Sequence, residues 1–142
     1  MHYFAYGSNM DINHMRRLCG WHCHILSHGV LKRHELILDT KGYPNISPKH
    51  DMDVYGILYE VDEKAVEALD GFEGYPEVYD RKMVEVLDGL GHKTKAWIYF
   101  KHEGYNSENK FHPGFWEKVI AAAYDQRLPK KWIAYLESFL NK

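Results

Sequence analysis

Apolar positions change their spacing several times along the chain, and each change predicts an element. Tyr3 to Ser8 mixes aromatic and small residues as a strand does, and Gly7-Ser8-Asn9 predicts the turn that leaves it. Asp11 suits the N-cap of a short helix through about Leu18, with Met15 and Leu18 on one side. His22 to Ser27 and Val30 to Asp39 are apolar-rich and interrupted at His28-Gly29, which predicts two strands or one bent strand. Gly42-Tyr43-Pro44-Asn45 and Ser47-Pro48 predict a loop. Val54 to Val61, VYGILYEV, has the β-branched and aromatic content of a strand. Asp62 then caps a helix from Glu63 to about Leu69, with Val66 and Leu69 inward. The stretch Leu69 to Arg81, LDGFEGYPEVYDR, is too rich in Gly and Pro to predict regular structure. Met83 to Leu87 and Thr94 to Phe100 flank Asp88-Gly89-Leu90-Gly91, a hairpin signal. Near the end, Trp116, Val119, Ile120 and Ala123 follow helical spacing, as do Trp132, Ile133, Leu136 and Phe139 within one turn. Pro129 fits the first turn of the last helix.

The order is β-α-β-β-β-α-β-β-α-α, with strands that mostly follow one another without helical crossovers. That predicts an α+β fold: a mixed, largely antiparallel, β-barrel-like sheet with flanking helices. A length of 142 residues fits a single domain over 1–142. The net charge of −2, with Lys and Arg scattered, argues against nucleic acid as a partner. No apolar run approaches the roughly 20 residues a bilayer requires, and the start lacks the pattern of a signal peptide. A cytoplasmic location is therefore expected, with no membrane partner. Cys19 and Cys23 are too few and too close for a secreted disulfide framework.

Candidate chemistry begins with YFAYGSNM, Tyr3 to Met10. Gly7 permits close backbone approach, and Ser8 and Asn9 add short polar side chains. Successive N–H groups before a helix start form a concavity suited to a carboxylate, a phosphate or a developing oxyanion. Alone, an arbitrary Tyr-Gly-Ser is more simply read as core aromatics and a turn. In combination with the Gly-Tyr-Pro-Asn-Ile loop, VYGILYEV and LDGFEGYPEVYDR, the pattern closely resembles the γ-glutamylcyclotransferase-like superfamily. The tail FWEKVIAAAYDQRLPKKWIAYLESF is also similar to that of the γ-glutamylcyclotransferases proper.

The resemblance implies a barrel with flanking helices and a cavity at one end. It also implies that a γ-glutamyl amino acid, peptide or amine cyclises to 5-oxoproline and releases its amine, with no cofactor. By position, the family's catalytic acid/base glutamate falls on Glu73, and the turn that holds the substrate falls on Tyr6, Gly7, Ser8 and Asn9. Tyr79 matches a tyrosine that follows the glutamate. Trp116 stands near a substrate-contacting tyrosine, with the adjacent Phe115 as the alternative. Glu67, Asp70 and Glu77 lie close to Glu73 in sequence; Asp70 is read as ending the helix and Arg81 as pairing with a neighbouring carboxylate.

Cyclisation joins the substrate's α-amine to its own γ-carbonyl. A base must take the ammonium proton, and the flexible tail must be held bent. Glu73 meets the first need if an apolar pocket raises its pKa, and Phe72 and Tyr75 beside it would form such a pocket. The amide-rich turn meets the second. Two other functions share these residues: a different γ-glutamyl acyl chemistry on the same fold, such as removing the group from an antibiotic precursor, and a non-catalytic small-molecule module. The cluster CGWHCHILSH, Cys19 to His28, has zinc-type ligands. Only one such cluster is present and its histidines do not share a strand face, so no metal is expected and the thiols are read as buried. The loop from His102 to Pro113 is expected to shape the leaving-group side of the cavity.

Overall fold

The computed structural model describes residues 1–102 and 111–141. Five strands, β1 (His2–Ala5), β2 (Cys23–Leu38), β3 (Pro44–Val61), β4 (Asp80–Leu87) and β5 (Lys93–Phe100), close a barrel in the order β1-β3-β2-β4-β5. Every pairing is antiparallel except β1 with β5, where Tyr3 lies opposite Trp97. Four helices flank it: α1 (Ile12–Cys19), α2 (Glu63–Glu73), α3 (Phe115–Asp125) and α4 (Lys130–Ser138). A mixed, mainly antiparallel barrel with flanking helices is the architecture the element order predicted.

The helix starts follow the expected chemistry. The Asp11 carboxylate accepts from the N–H groups of Asn13 and His14, and that of Asp62 from Ala65. Met15 and Leu69 are buried beneath them. On α3, Trp116, Val119, Ile120 and Ala123 are all buried, which is the stripe their spacing predicted. Pro129 occupies the N-cap of α4 itself, one position earlier than the first-turn placement.

Two stretches depart from the sequence reading, and a third decides between its alternatives. Of the two alternatives for Cys23 to Leu38, the bent strand is the one formed: β2 is continuous, with register shifts between Ile25 and Ser27 and between Lys32 and His34. β3 begins at Pro44 and not at Val54, so the expected loop is strand from Pro44 onward. Its ladder to β2 runs from Leu38 opposite Pro44 to Cys23 opposite Val61, and Pro48 is accommodated next to a register shift. α2 likewise runs four residues past Leu69, through Asp70-Gly71-Phe72-Glu73. Gly71 is tolerated there, and the end is set by Gly74 at φ +70°, a left-handed C-cap whose added Cβ would lie 2.9 Å from Val78.

β1 is buried along nearly its whole length: Tyr3, Phe4, Ala5 and Tyr6 are all core residues. Gly56 on β3 allows this, because a Cβ there would come within 2.2 Å of the Ala5 carbonyl oxygen. The chain can therefore pack β1 tightly into the barrel and still turn out at Gly7. That turn delivers residues 6–9 to the mouth of a cavity.

Candidate active site

The cavity encloses about 280 Å³ and opens among β1, the end of α2 and the end of β5. Tyr3, Tyr6, Gly7, Ser8 and Asn9 form one wall; Phe72, Glu73, Val78 and Tyr79 form another; Lys41, Tyr43, Pro44, Lys101 and Phe115 contribute the remainder with Tyr99. The turn and the glutamate, 64 residues apart in sequence, therefore meet across one space.

After β1, Ser8–Met10 form a single 3-10 turn, closed by Met10 N–H donating to the Gly7 carbonyl at 3.1 Å. The N–H groups of Ser8 and Asn9 precede that bond, which is the usual position of helix-start donors without an intrahelical acceptor. Gly7 faces Pro44, and a Cβ on it would lie 3.4 Å from the Pro44 ring. Asn9 is the structural centre of the site and is buried. Its side-chain amide donates to the Tyr3 hydroxyl at 2.8 Å and to Glu73 Oε1 at 3.2 Å, while its carbonyl accepts from the Tyr59 hydroxyl at 2.8 Å. Asn9 Oδ1 is buried with no hydrogen-bond partner among the described residues, so two acceptors for Nδ2 set the orientation of the amide.

Burial pushes the Glu73 carboxyl up to about 7; the Asn9 amide and the charge of Lys101 pull the other way and only partly offset it. The same burial raises the hydroxyls of Tyr3 and Tyr6 well above the ordinary phenol value, with Glu73 adding to both. Both tyrosines are therefore neutral hydrogen-bonding groups at any physiological pH. Tyr6 donates to the Tyr99 carbonyl at 2.7 Å.

The opposite side of the cavity is built around an ion pair. Lys101 Nζ lies 2.7 Å from Asp39 Oδ2, with side-chain exposures of 11% and 0%. Asp39 Oδ1 also accepts the N–H groups of Lys41 and Tyr43 at 2.9 Å each. Asn45 clamps the Lys101 backbone with two 3.0 Å bonds, and the ammonium lies 4.8 Å from the Tyr79 ring centroid.

Of the residues singled out in the sequence, Tyr6, Gly7, Ser8, Asn9, Glu73 and Tyr79 all line the cavity. Trp116 does not. It is fully buried, donates to the Gly42 carbonyl at 3.1 Å and stacks on Phe139; its neighbour Phe115 is the aromatic on the wall. The helical phase explains the swap, since α3 starts at Phe115 and turns position 116 into the core. The loop expected to shape the leaving-group side lies, over residues 103–110, outside the described residues. Cys19 and Cys23 are free, buried thiols, with burial holding that of Cys19 at about 12. Among the described residues no group of three His, Cys, Asp or Glu side chains could hold a metal ion, and no helix is long and apolar enough to cross a membrane.

The sequence reading missed Tyr3, Lys101 and Asp39 as parts of the site. For Tyr3 a signal existed: it lies on β1 three residues before Tyr6, and both are large, buried, polar-tipped aromatics. Lys101 and Asp39 carried none.

The family model for γ-glutamyl cyclotransferase, AIG2-like proteins matches residues 3–118. The chain belongs to that family. A Methanocaldococcus jannaschii protein provisionally named a γ-glutamylcyclotransferase is 42% identical over 50 residues, covering 35% of this chain and 42% of that one. γ-Glutamylaminecyclotransferase A of Danio rerio is 31% identical over 80 residues, covering 55% and 45%. The matched stretches thus span less than half of these relatives' own lengths. A solved structure of a γ-glutamyl cyclotransferase superposes with a TM-score of 0.83 at 18% identity, covering 96% of this chain and 86% of that one, a likeness in fold.

Proposed function

We propose that this family member cyclises the γ-glutamyl group of a small γ-glutamyl compound to 5-oxoproline and releases the free amine, with Glu73 as general acid and base. The observation that carries the reading is a carboxyl held at about 7 inside the cavity, hydrogen-bonded to the amide of the Tyr-Gly-Ser-Asn turn. At that value Glu73 is ionised often enough near neutral pH to accept a proton and protonated often enough to return it.

In the proposed reaction the substrate's α-ammonium gives a proton to Glu73, and the freed amine attacks the γ-carbonyl carbon. A C–N bond forms, closing a five-membered ring, and the carbonyl oxygen takes up the negative charge. The N–H groups of Ser8 and Asn9 are the donors for that oxyanion or for the α-carboxylate; a donor of this kind is typically worth about 10²–10³ in rate. Collapse breaks the bond to the leaving amine, which takes the proton back from Glu73; the ring nitrogen then gives its one surplus proton to the same carboxylate, which passes it to the departing amine, released as its ammonium. One carboxyl serves every transfer, and no co-reactant is consumed. Tyr6, Gly7 and Tyr79 shape the space in which the glutamyl tail bends, and holding it bent supplies up to roughly 7–11 kcal/mol of barrier reduction.

Some relatives are named for γ-glutamylamines and another for γ-glutamyl groups in general. The test is incubation of purified protein with a panel of γ-glutamyl amino acids, γ-glutamyl amines and glutathione, with 5-oxoproline scored by mass. Release from at least one class supports the assignment; hydrolysis to free glutamate, or binding without turnover across the panel, contradicts it.

A further inference from the structure

The last turn of α2 carries two acids, Asp70 and Glu73, and no basic residue. That is the wrong sign for a helix C-terminus, whose unpaired carbonyls disfavour an anion. The proposed reaction accounts for Glu73 at this position and makes no use of Asp70.

Asp70 is held from outside its helix. Nη1 of Arg81, on β4, lies 2.8 Å from Asp70 Oδ1 and 2.7 Å from Oδ2. The Tyr99 hydroxyl, on β5, donates to Oδ1 at 2.7 Å. The Asp70 carbonyl accepts the N–H of Tyr75 at 2.9 Å, closing the helix end. The Arg81 guanidinium packs on two rings, 4.4 Å from the Tyr75 centroid and 4.9 Å from that of Trp97. Tyr99 continues the connection inward: its carbonyl receives the Tyr6 hydroxyl and its ring meets Tyr3 edge-on at 5.8 Å. Tyr3 is the residue that shares the Asn9 amide with Glu73.

We infer that Asp70, Arg81 and Tyr99 form a positioning clamp that fixes the end of α2, and with it the Glu73 carboxyl, against the Asn9 amide. The inference rests on Glu73 being the acid and base. Magnitudes separate it from a purely structural role. The Arg81 and Asp70 side chains keep 22% and 24% exposure, so water still reaches either charge when the pair is disturbed, which limits the cost to stability. Its geometry, by contrast, is tightly constrained, because Arg81 Nη1 and the Tyr99 hydroxyl make three hydrogen bonds to the Asp70 carboxylate and two rings pack on Arg81. A shift of about 1 Å in a reacting group costs on the order of 10² in rate. The clamp therefore acts on turnover much more than on folding.

Arg81→Lys tests this, because it keeps the charge and loses the planar group that meets both oxygens and both rings. The expected result is a fall in kcat of roughly 10–100-fold with KM within about twofold, and a melting temperature lowered by only a few degrees. Tyr99→Phe gives a smaller loss in the same direction. In Arg81→Ala, millimolar guanidinium restores part of kcat, and it has no such effect on the wild type. Unchanged kcat in both Arg81 variants, or a loss lying wholly in KM, overturns the clamp. If the wild type cyclises no γ-glutamyl compound, the functional reading fails, and the clamp is judged on Glu73 itself. The ¹³C resonance of the Glu73 carboxyl then titrates lower in Arg81→Ala, because a carboxyl no longer held in its buried place is better solvated; a higher midpoint reports the unbalanced Asp70 charge alone and overturns the clamp. The other titratable groups around it, Tyr3, Tyr6, His14, Tyr79, Tyr99 and Lys101, are the same in both proteins. An identical midpoint overturns the clamp.

Discussion

Two acids near the cavity are held in opposite ways. Asp39, with no exposed side-chain surface, has a lysine at 2.7 Å and accepts two backbone N–H groups. Glu73 has the Asn9 amide at 3.2 Å, with the Lys101 charge as a weaker, more distant influence, and is pushed up to about 7. The difference lies in what surrounds each buried carboxyl: an ion pair and two backbone donors for Asp39, a side-chain amide for Glu73. At Glu73 burial raises the carboxyl, and the Asn9 amide with the Lys101 charge only partly offsets it. On the proposed function the Glu73 side of the cavity exchanges a proton, while the Asp39 side is fixed by its ion pair and backbone donors.

Breaking the exchanging side carries the largest expected effect. Glu73→Gln preserves shape and removes the ionisable group, so 5-oxoproline release falls by roughly 10²–10⁴ while substrate binding persists. Single-turnover assays beside calorimetric titration of the substrate check both halves. Breaking the fixed side instead costs stability. Lys101→Met strands the buried Asp39 charge and lowers the unfolding free energy by about 3–5 kcal/mol in urea titrations. It also removes a charge that holds Glu73 down, so the acid limb of the pH–rate profile moves upward.

Which of these residues could be found in the sequence follows from distance along the chain. The turn at 6–9 is contiguous, and Glu73 sits in a short Gly-rich segment, so each carries its own pattern. The helical stripes of α3 and α4 were legible for the same reason, being periodic within a few turns. Asp39 and Lys101 are 62 residues apart, and each alone looks like a solvated charge beside a turn. The first half of β3 was hidden by its composition: Pro44 and Pro48 signal a loop, and Lys49, His50 and Asp51 are exposed between two stretches of its ladder to β2. The end of α2 was hidden by Gly71, whose helical cost is met by the cap at Gly74.

A smaller effect appears in stability against pH. Folding raises the Glu73 pKa from 4.5 to about 7, so the native state holds a proton that the unfolded chain releases across that interval. Stability from this group is complete below about pH 4.5 and is lost as pH rises through about 7, a total of about 3 kcal/mol. Glu73→Gln removes that slope, and denaturant titrations of both proteins at pH 4 and pH 8 check it. Smaller again is Asn9→Ala. It takes a donor from Glu73 and from the Tyr3 hydroxyl, destabilises by about 1–3 kcal/mol, and raises the Glu73 titration further, as a pH–rate profile of the variant reveals.

The most direct measurement is the titration of the Glu73 carboxyl by ¹³C NMR, assigned by the signal lost in Glu73→Gln. A midpoint near 7 is the predicted result. A midpoint at the ordinary glutamate value would mean that the side chain is solvated like any surface acid, and would contradict its role as the proton carrier of this site.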